Sequence, residues 1–448
     1  MQTNYLILED STNQISHVPC ALHIRAPAAE QRNPTHFVLV IDTSESMTEQ
    51  SRLENVKHSA SLVLNFLGPN DCLSLITFGE ESTIHCSSVA CTSEQKAVIQ
   101  GLISKIRPDG CTNLSAAILN LKKVVTNTTI KTGVLLLTDG HANRGVFSAD
   151  KILDMFNNLH TLVPALSFTV VGYGTDHNAS LMKAIAENTS GAYCIVENLE
   201  GAATVIGNTI GGLFSCSSQV VKLKCPAGTK VHESHRVGAD GCIEIGDIYD
   251  ESEQIILFDV PKESLGESIQ LTGSTLSSMD NFTIDVAPTQ WSSGQTGPLY
   301  TAVDLTRLRY RCSELFKKLT QRERIDADIA HFRSLVFADA YNGNPVAEML
   351  RAECVSLETA ARTNVNVAHL YQHVAFNSLG RGTTQTIQPD DNPNEPDMVG
   401  SVPLQMTSPM SSRLQRRVTN LMTTMTGGGA RAQEAEAAAQ EFSQLNPS

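Results

Sequence analysis

No Cys-x-x-Cys pair occurs anywhere in the 448 residues, although there are 11 cysteines. A zinc ribbon or a RING holds its metal through thiolates paired at that spacing, so both are excluded. The phosphate-cradling pattern G-x-x-x-x-G-K-[ST] is missing, and so is the G-x-S-x-G of a nucleophile elbow. No run approaches the ~18 apolar residues that a membrane-spanning helix needs. Residues 1–10 offer neither the basic nor the apolar region of a signal peptide. With no visible route out of the cell, the thiols are expected to be reduced and the protein cytoplasmic. A formal net charge of −14, with no long basic block, argues against nucleic acid or an anionic membrane as the main partner. No internal repeat is found.

What is present is a globular composition: 41% hydrophobic and 18% charged residues, in a chain long enough for two or three domains. Residues 18–26 read as a strand, and 27–34 as a polar link. The run FVLVI at 37–41 is continuously apolar, as a strand buried on both faces of a parallel sheet would be. LSLITF (73–78), VLLLTD (134–139) and LSFTVVG (166–172) repeat the pattern. Helical periodicity fills the gaps at 51–67, 93–106, 113–126, 148–159 and 178–189, and a strand at 192–196 and a helix at 199–214 follow. This alternation predicts an α/β, doubly wound, mainly parallel sheet over 37–216.

The period then drops to two. Short alternating segments at 220–225, 229–234, 242–246, 253–260, 267–276 and 281–286 predict an antiparallel β-sandwich over 217–290. Residues 1–36 supply a strand expected to pair with it. From Tyr300 the period returns to 3.6, and a small helical bundle is expected over 300–380, with Asn344 capping and Pro345 opening its middle helix. The tail, 381–448, is polar and Pro-rich and is expected to be disordered. A short helix at 409–425 carries Met410, Leu414, Val418, Leu421, Met422 and Met425 on one face, with Arg413, Arg416 and Arg417 opposite. It suits docking on a partner, on a membrane or on its own protein.

Three loops at one edge of the predicted sheet carry the chemistry. Asp42-Thr43-Ser44-Glu45-Ser46 follows the first buried strand. Gly110-Cys111-Thr112-Asn113 precedes a helix. Thr138-Asp139-Gly140 ends the VLLL strand. In open α/β sheets ligands bind outside the carboxyl ends of the strands, where these loops lie. Two carboxylates and three hydroxyls suit Mg²⁺, a hard ion that takes six oxygens and keeps some of its waters; Mn²⁺ suits the same set. Each loop alone has an ordinary reading as a turn or a helix cap, Thr112 included. The three together, each after the right element, point to a site.

DTSES, GCTNLSAAI and LLLTDG resemble, in order and spacing, the metal-ion-dependent adhesion site of von Willebrand factor type A (vWA) domains. The resemblance implies Ser44 and Ser46 as direct hydroxyl ligands and Thr112 as a third, direct or through water. It implies Asp42 and Asp139 as the carboxylates. Glu45 departs from the family's usual glycine. A narrower resemblance, in 170–193, 210–215 and 246–261, is to intracellular vWA proteins that include RING-finger ubiquitin ligases of plants. It implies the order vWA, β region, helical vWA-associated domain, without the RING.

Other candidates are weaker. His177 beside Asp176 suits a dyad or, more simply, a turn with Asn178 or Asp176 capping the next helix. His232 and His235 suit zinc or solvated strand positions. The expectation is a non-enzymatic interaction module: a scaffold using Mg²⁺ or Mn²⁺ to capture an acidic side chain of a protein partner. Participation in a ubiquitin-ligase pathway, or metal-dependent hydrolysis, are the alternatives.

Overall fold

A computed structural model describes residues 1–8, 16–27, 33–125, 130–139, 141–174, 177–189, 191–196, 199–232, 235–278, 280–290, 297–363, 365–379, 384–385 and 401–402. The chain divides into two compact units. One is Glu30–Cys216; the other joins Met1–Ala29 to Ser217–Ser408.

The first two strands, β1 (Gln2–Ile7) and β2 (His17–Arg25), belong to the second of these units. The Glu30–Cys216 unit begins with β3 (Thr35–Asp42), α1 (Arg52–Phe66), β4 (Cys72–Phe78), β5 (Ser82–Ala90), α2 (Ser93–Lys105) and α3 (Leu114–Val124). It continues with β6 (Lys131–Thr138), α4 (Ala149–Leu162), β7 (Leu166–Tyr173), α5 (Ala179–Asn188), β8 (Ala192–Val196) and α6 (Leu199–Phe214). The sheet order is β5-β4-β3-β6-β7-β8. β3, β4, β6, β7 and β8 run parallel and only the edge strand β5 is antiparallel. This is the doubly wound α/β sheet expected from the continuous apolar runs.

Every residue of β3 and of β6 is buried, because helices cover both faces of the sheet. Phe37, Leu39 and Ile41 face a cluster with Val56, Ala60 and Val63 of α1. The chain leaves β3 toward β4 on one side and later returns to β6 on the other. The strand order therefore reverses between β3 and β6, which makes the crevice above their carboxyl ends the natural binding position of such a sheet.

The remaining unit is a sandwich with helices. Its strands are β9 (Cys216–Lys224), β10 (Lys230–Val231), β11 (Arg236–Val237), β12 (Ile243–Tyr249), β13 (Glu253–Pro261), β14 (Ile269–Thr275), β15 (Asn281–Val286) and β16 (Pro288–Gln290). With β1 and β2 they form two sheets, β10-β13-β2-β1-β16 and β11-β12-β9-β14-β15. Tyr5, Cys20, Leu22 and Ile24 from the first meet Val221, Leu223, Ile245 and Leu271 from the second in one core. β2 pairs antiparallel with β13 along its whole length, His17 opposite Pro261 and Arg25 opposite Glu253. β1 was not anticipated.

Among the described residues, the α-helices α7 (Pro298–Thr320), α8 (Asp326–Val336), α9 (Pro345–Arg362) and α10 (Val367–Leu379) follow. Asn344 caps α9, its side chain accepting from the amides of Val346 (2.9 Å) and Ala347 (3.3 Å). Thr384–Gln385 pairs with Ser401–Val402; the rest of 381–448, including the expected helix at 409–425, lies outside the described residues. No disulfide joins cysteines among the described residues, and Cys20, Cys91, Cys194, Cys216, Cys312 and Cys354 are buried. No described helix is long and apolar enough to cross a membrane.

Candidate functional site

Asp42 ends β3, beside Thr138 at the end of β6. Its Oδ2 accepts from the Thr138 hydroxyl at 2.5 Å, and its Oδ1 accepts from the Ser44 amide at 2.8 Å. The second bond folds the chain back just after the strand, so that the Ser44 and Ser46 hydroxyls stand 3.1 Å apart. Neighbouring ligands of an octahedral ion with bonds of ~2.1 Å lie roughly 3.0 Å apart. The pair is spaced as two ligands of one such ion would be.

The second loop is tied to the first by its backbone. The Asp109 amide donates to the Thr43 carbonyl (2.6 Å), and the Glu45 amide donates to the Gly110 carbonyl (2.8 Å). Gly79 makes this approach possible: a Cβ there would sit 2.0 Å from the Asp109 carbonyl oxygen. Thr112 is buried, its amide donating to Asn143 Oδ1 (2.9 Å) while its carbonyl accepts from the amides of Asn143 (3.1 Å) and Arg144 (3.3 Å). Thr112 does not cap α3. Asn113 does, its side chain accepting from the Ala116 amide.

Asp139 follows β6 and is buried. Its Oδ2 faces the Arg52 guanidinium at 3.5 Å, and its Oδ1 is buried with no hydrogen-bond partner among the described residues. Burial, and then the nearby charge of Asp139, push the Asp42 carboxyl up to about 7. Two buried carboxylates that repel each other, one with an orphaned oxygen, favour a cation between them. Among the described residues no three His, Cys, Asp or Glu side chains converge. A cation here would meet two carboxylates and hydroxyls, which suits Mg²⁺ or Mn²⁺ better than a soft metal.

Asp42, Ser44, Thr112 and Asp139 are buried, and Ser46 is half-exposed. The loops close over the carboxylates through the backbone bonds above, which side-chain spacing alone does not reveal. Gly140 lies outside the described residues. Glu45, at the family's usual glycine position, is exposed. Two participants were missed. Arg52 carried one signal, since a positive charge in the first turn of a helix opposes the helix dipole. Asn143 carried none.

The other candidates resolve into structure. His177 is buried, its Nδ1 bonded to the Gly174 carbonyl (2.7 Å) and its Nε2 to the Tyr193 hydroxyl (2.5 Å). Asn178 caps α5. His232 stacks on Tyr310 at 4.5 Å, and His235 Nε2 bonds to the Tyr310 hydroxyl at 2.8 Å, so neither is a solvated strand position.

Sheet, switch point and carboxylate pair together define a class of domain. Residues 37–141 match the family model of the von Willebrand factor type A domain, and the chain carries a domain of that type. Among curated proteins it is 29% identical over 171 residues to the uncharacterized protein YfbK of Escherichia coli (strain K12). That match takes in 38% of this chain and spans only 29% of YfbK. Among solved structures, the fold is shared with the von Willebrand factor type A protein from Catenulispora acidiphila (TM-score 0.60, 13% identity, 86% of this chain and 96% of that one). It is also shared with the ArnB paralog VWA2 from Sulfolobus acidocaldarius (TM-score 0.52, 15% identity, 84% and 97%). Both coverages extend well beyond residues 37–141, so the likeness in fold is not confined to the vWA segment.

Proposed function

We propose that this protein is a non-enzymatic interaction module whose vWA site binds Mg²⁺, or Mn²⁺, and through it a carboxylate of a protein partner. The observation that carries the reading is the buried carboxylate pair at the switch point, with Asp139 Oδ1 unpartnered beside the repelling Asp42. Ser44, Ser46 and Thr112 supply hydroxyls, and Asp42 and Asp139 supply the charge, directly or through water. Neutral hydroxyls leave a bound dication electrophilic, so an incoming carboxylate completes its shell. The resemblance to plant vWA ligases directs the search for partners to ubiquitin-ligase pathways, with this chain as a non-catalytic member.

The test is linkage. A cation that binds only the folded chain stabilises it by RT ln(1 + [L]/Kd), ~2.7 kcal/mol at a hundredfold excess over Kd. Mg²⁺ is expected to raise the melting temperature of the wild type and to leave Asp42→Asn unmoved. Proteins captured from extract in Mg²⁺ should be lost in chelator and lost with Asp42→Asn. Equal capture in all three conditions would leave the site without this function.

A further inference from the structure

We infer that the partner's carboxylate is flanked by basic side chains, and that the acidic rim of the cation site selects for them. The inference rests on the cation reading above and deepens it, by giving the chemistry of the partner segment around its acidic residue.

The loops that close over Asp42 and Asp139 carry further carboxylates. Glu45 lies between Ser44 and Ser46. Glu80 and Glu81 turn the chain from β4 into β5, where the Gly79 amide donates to the Glu81 carbonyl (2.9 Å). Asp109 stands in the loop that leads to Thr112. Backbone bonds join these loops into one surface. The Glu45 amide donates to the Gly110 carbonyl, the Glu80 amide to the Asp109 carbonyl, and the Asp109 amide to the Thr43 carbonyl. Glu45, Glu80, Glu81 and Asp109 are all exposed.

The arginines of these loops do not balance them. Arg144 is paired with Glu80 at 2.9 Å. The Arg107 guanidinium turns back onto the end of α2, donating to the carbonyls of Ser104 and Ile106 at 2.8 Å each. The carboxylates of Glu45, Glu81 and Asp109 make no hydrogen bond or ion pair among the described residues. Acidic side chains on a surface attract any cation and by themselves mark no site. Here they share their loops with a built one: Asp139 is 1% exposed, and its Oδ1 has no hydrogen-bond partner among the described residues.

A carboxylate that completes the shell of the bound ion therefore arrives among fixed charges of its own sign. In a peptide the neighbouring residues lie only ~3.8 Å away along the chain. Their side chains fall within a Debye length of the rim, ~8 Å at physiological salt. Acidic neighbours are repelled there, whereas lysine or arginine neighbours meet unpaired carboxylates. The ion reads the acid, and the rim reads what stands beside it.

The experiment measures the binding of blocked pentapeptides to the full chain in MgCl₂ at pH 8, where histidine adds little charge. One peptide is acetyl-Gly-Lys-Asp-Lys-Gly-amide. A second has glutamine for both lysines, and a third keeps the lysines but has asparagine for the aspartate. The lysine peptide is expected to bind wild type about fivefold more tightly than the glutamine peptide, the scale of two exposed ion pairs. Most of that margin should vanish at about 0.3 M salt. The asparagine peptide, and the lysine peptide in chelator, are expected to bind about tenfold more weakly, since each lacks one half of the ion contact. In the combined variant Glu45→Gln, Glu81→Gln, Asp109→Asn the margin between lysine and glutamine peptides should shrink to under about twofold. Both peptides meet the same protein, so a change in its Mg²⁺ affinity cancels from the ratio. Melting in chelator checks folding, and if the combined variant does not fold, Glu45→Gln alone decides, with a margin of about threefold. Equal binding of the lysine and glutamine peptides by wild type overturns the inference, as does an unchanged margin in the variant. A Mg²⁺-dependent rise in melting temperature without Mg²⁺-dependent binding of the lysine peptide overturns it too, and leaves the cation site standing. No such rise, with no peptide distinguishing Mg²⁺ from chelator, overturns the cation reading itself, and this inference with it.

Discussion

Asp42 shows how a single residue can be costly to the empty fold and useful to the site. Its buried charge is disfavoured beside Asp139, so Asp42→Asn should melt in chelator no lower than wild type. The amide also retains an acceptor for the Ser44 amide. A marked fall in melting temperature would mean that the carboxylate is held for structure rather than for a cation. A second residue sets a pH response. Burial pushes the His36 imidazole down to about 4, and it shares a 2.8 Å hydrogen bond with the Ser74 hydroxyl. In the unfolded chain it protonates near 6.5. Between those values the unfolded state holds a proton that the folded state does not. Stability from this group is thus present above pH ~6.5 and lost as pH falls through about 4, by roughly 3 kcal/mol in all. Melting curves from about pH 7 to pH 4 should fall less steeply for His36→Gln than for wild type. The carboxyl of Asp42 titrates in the opposite sense, so the difference between the two proteins, not the wild-type slope, is the measure.

At the scale of elements, the loops matter more than the strands. Gly79→Ala should force the Asp109 carbonyl away. It would strain the bonds that the Asn113 amide makes to the Gly79 carbonyl (2.9 Å) and the Glu80 amide makes to the Asp109 carbonyl (2.9 Å). A loss of ~2–4 kcal/mol in urea denaturation is expected, with a weakened Mg²⁺ response, because the loop carrying Thr112 moves with Asp109. An unchanged variant would show that this loop is looser than its bonds suggest. The same contrast explains what the sequence made legible. β3, β4, β6 and β7 announce themselves as continuous apolar runs, and Asp42 and Asp139 are found because each directly follows one. β5 escapes because an edge strand has one open side: STIHCSSVA is mostly half-exposed and neither alternates cleanly nor stays apolar. Arg52 and Asn143 escape because their roles are set by atoms far along the chain, Asp139 for one and Thr112 for the other. The burial of the site escapes for the same reason.

At the scale of the whole molecule, the two units have separate cores. The vWA cluster draws on residues between Phe37 and Phe214. The sandwich cluster draws on residues between Tyr5 and Ile24 and between Val221 and Val286. β2 lies in the middle of its sheet, bonded along its length to β13 and on its other side to β1. A chain lacking residues 1–26 should therefore lose the sandwich, seen as dye binding to exposed apolar surface and a missing melting transition. It should keep the Mg²⁺-dependent shift of the vWA unit. Retention of both transitions would mean that the downstream strands suffice without β1 and β2.

The pairing of β2 with β13 also sets a timetable. β2 leaves the ribosome before its partner β13, which is made only after residues 30–216 have been synthesised. At about 5–20 residues per second, the wait is on the order of tens of seconds. The vWA unit, whose strands all lie within that interval, can close while the first two strands still have open edges. Unpaired strand edges are aggregation-prone, so slowing translation after Cys216 should lower the yield of intact sandwich and spare the vWA unit that finished first.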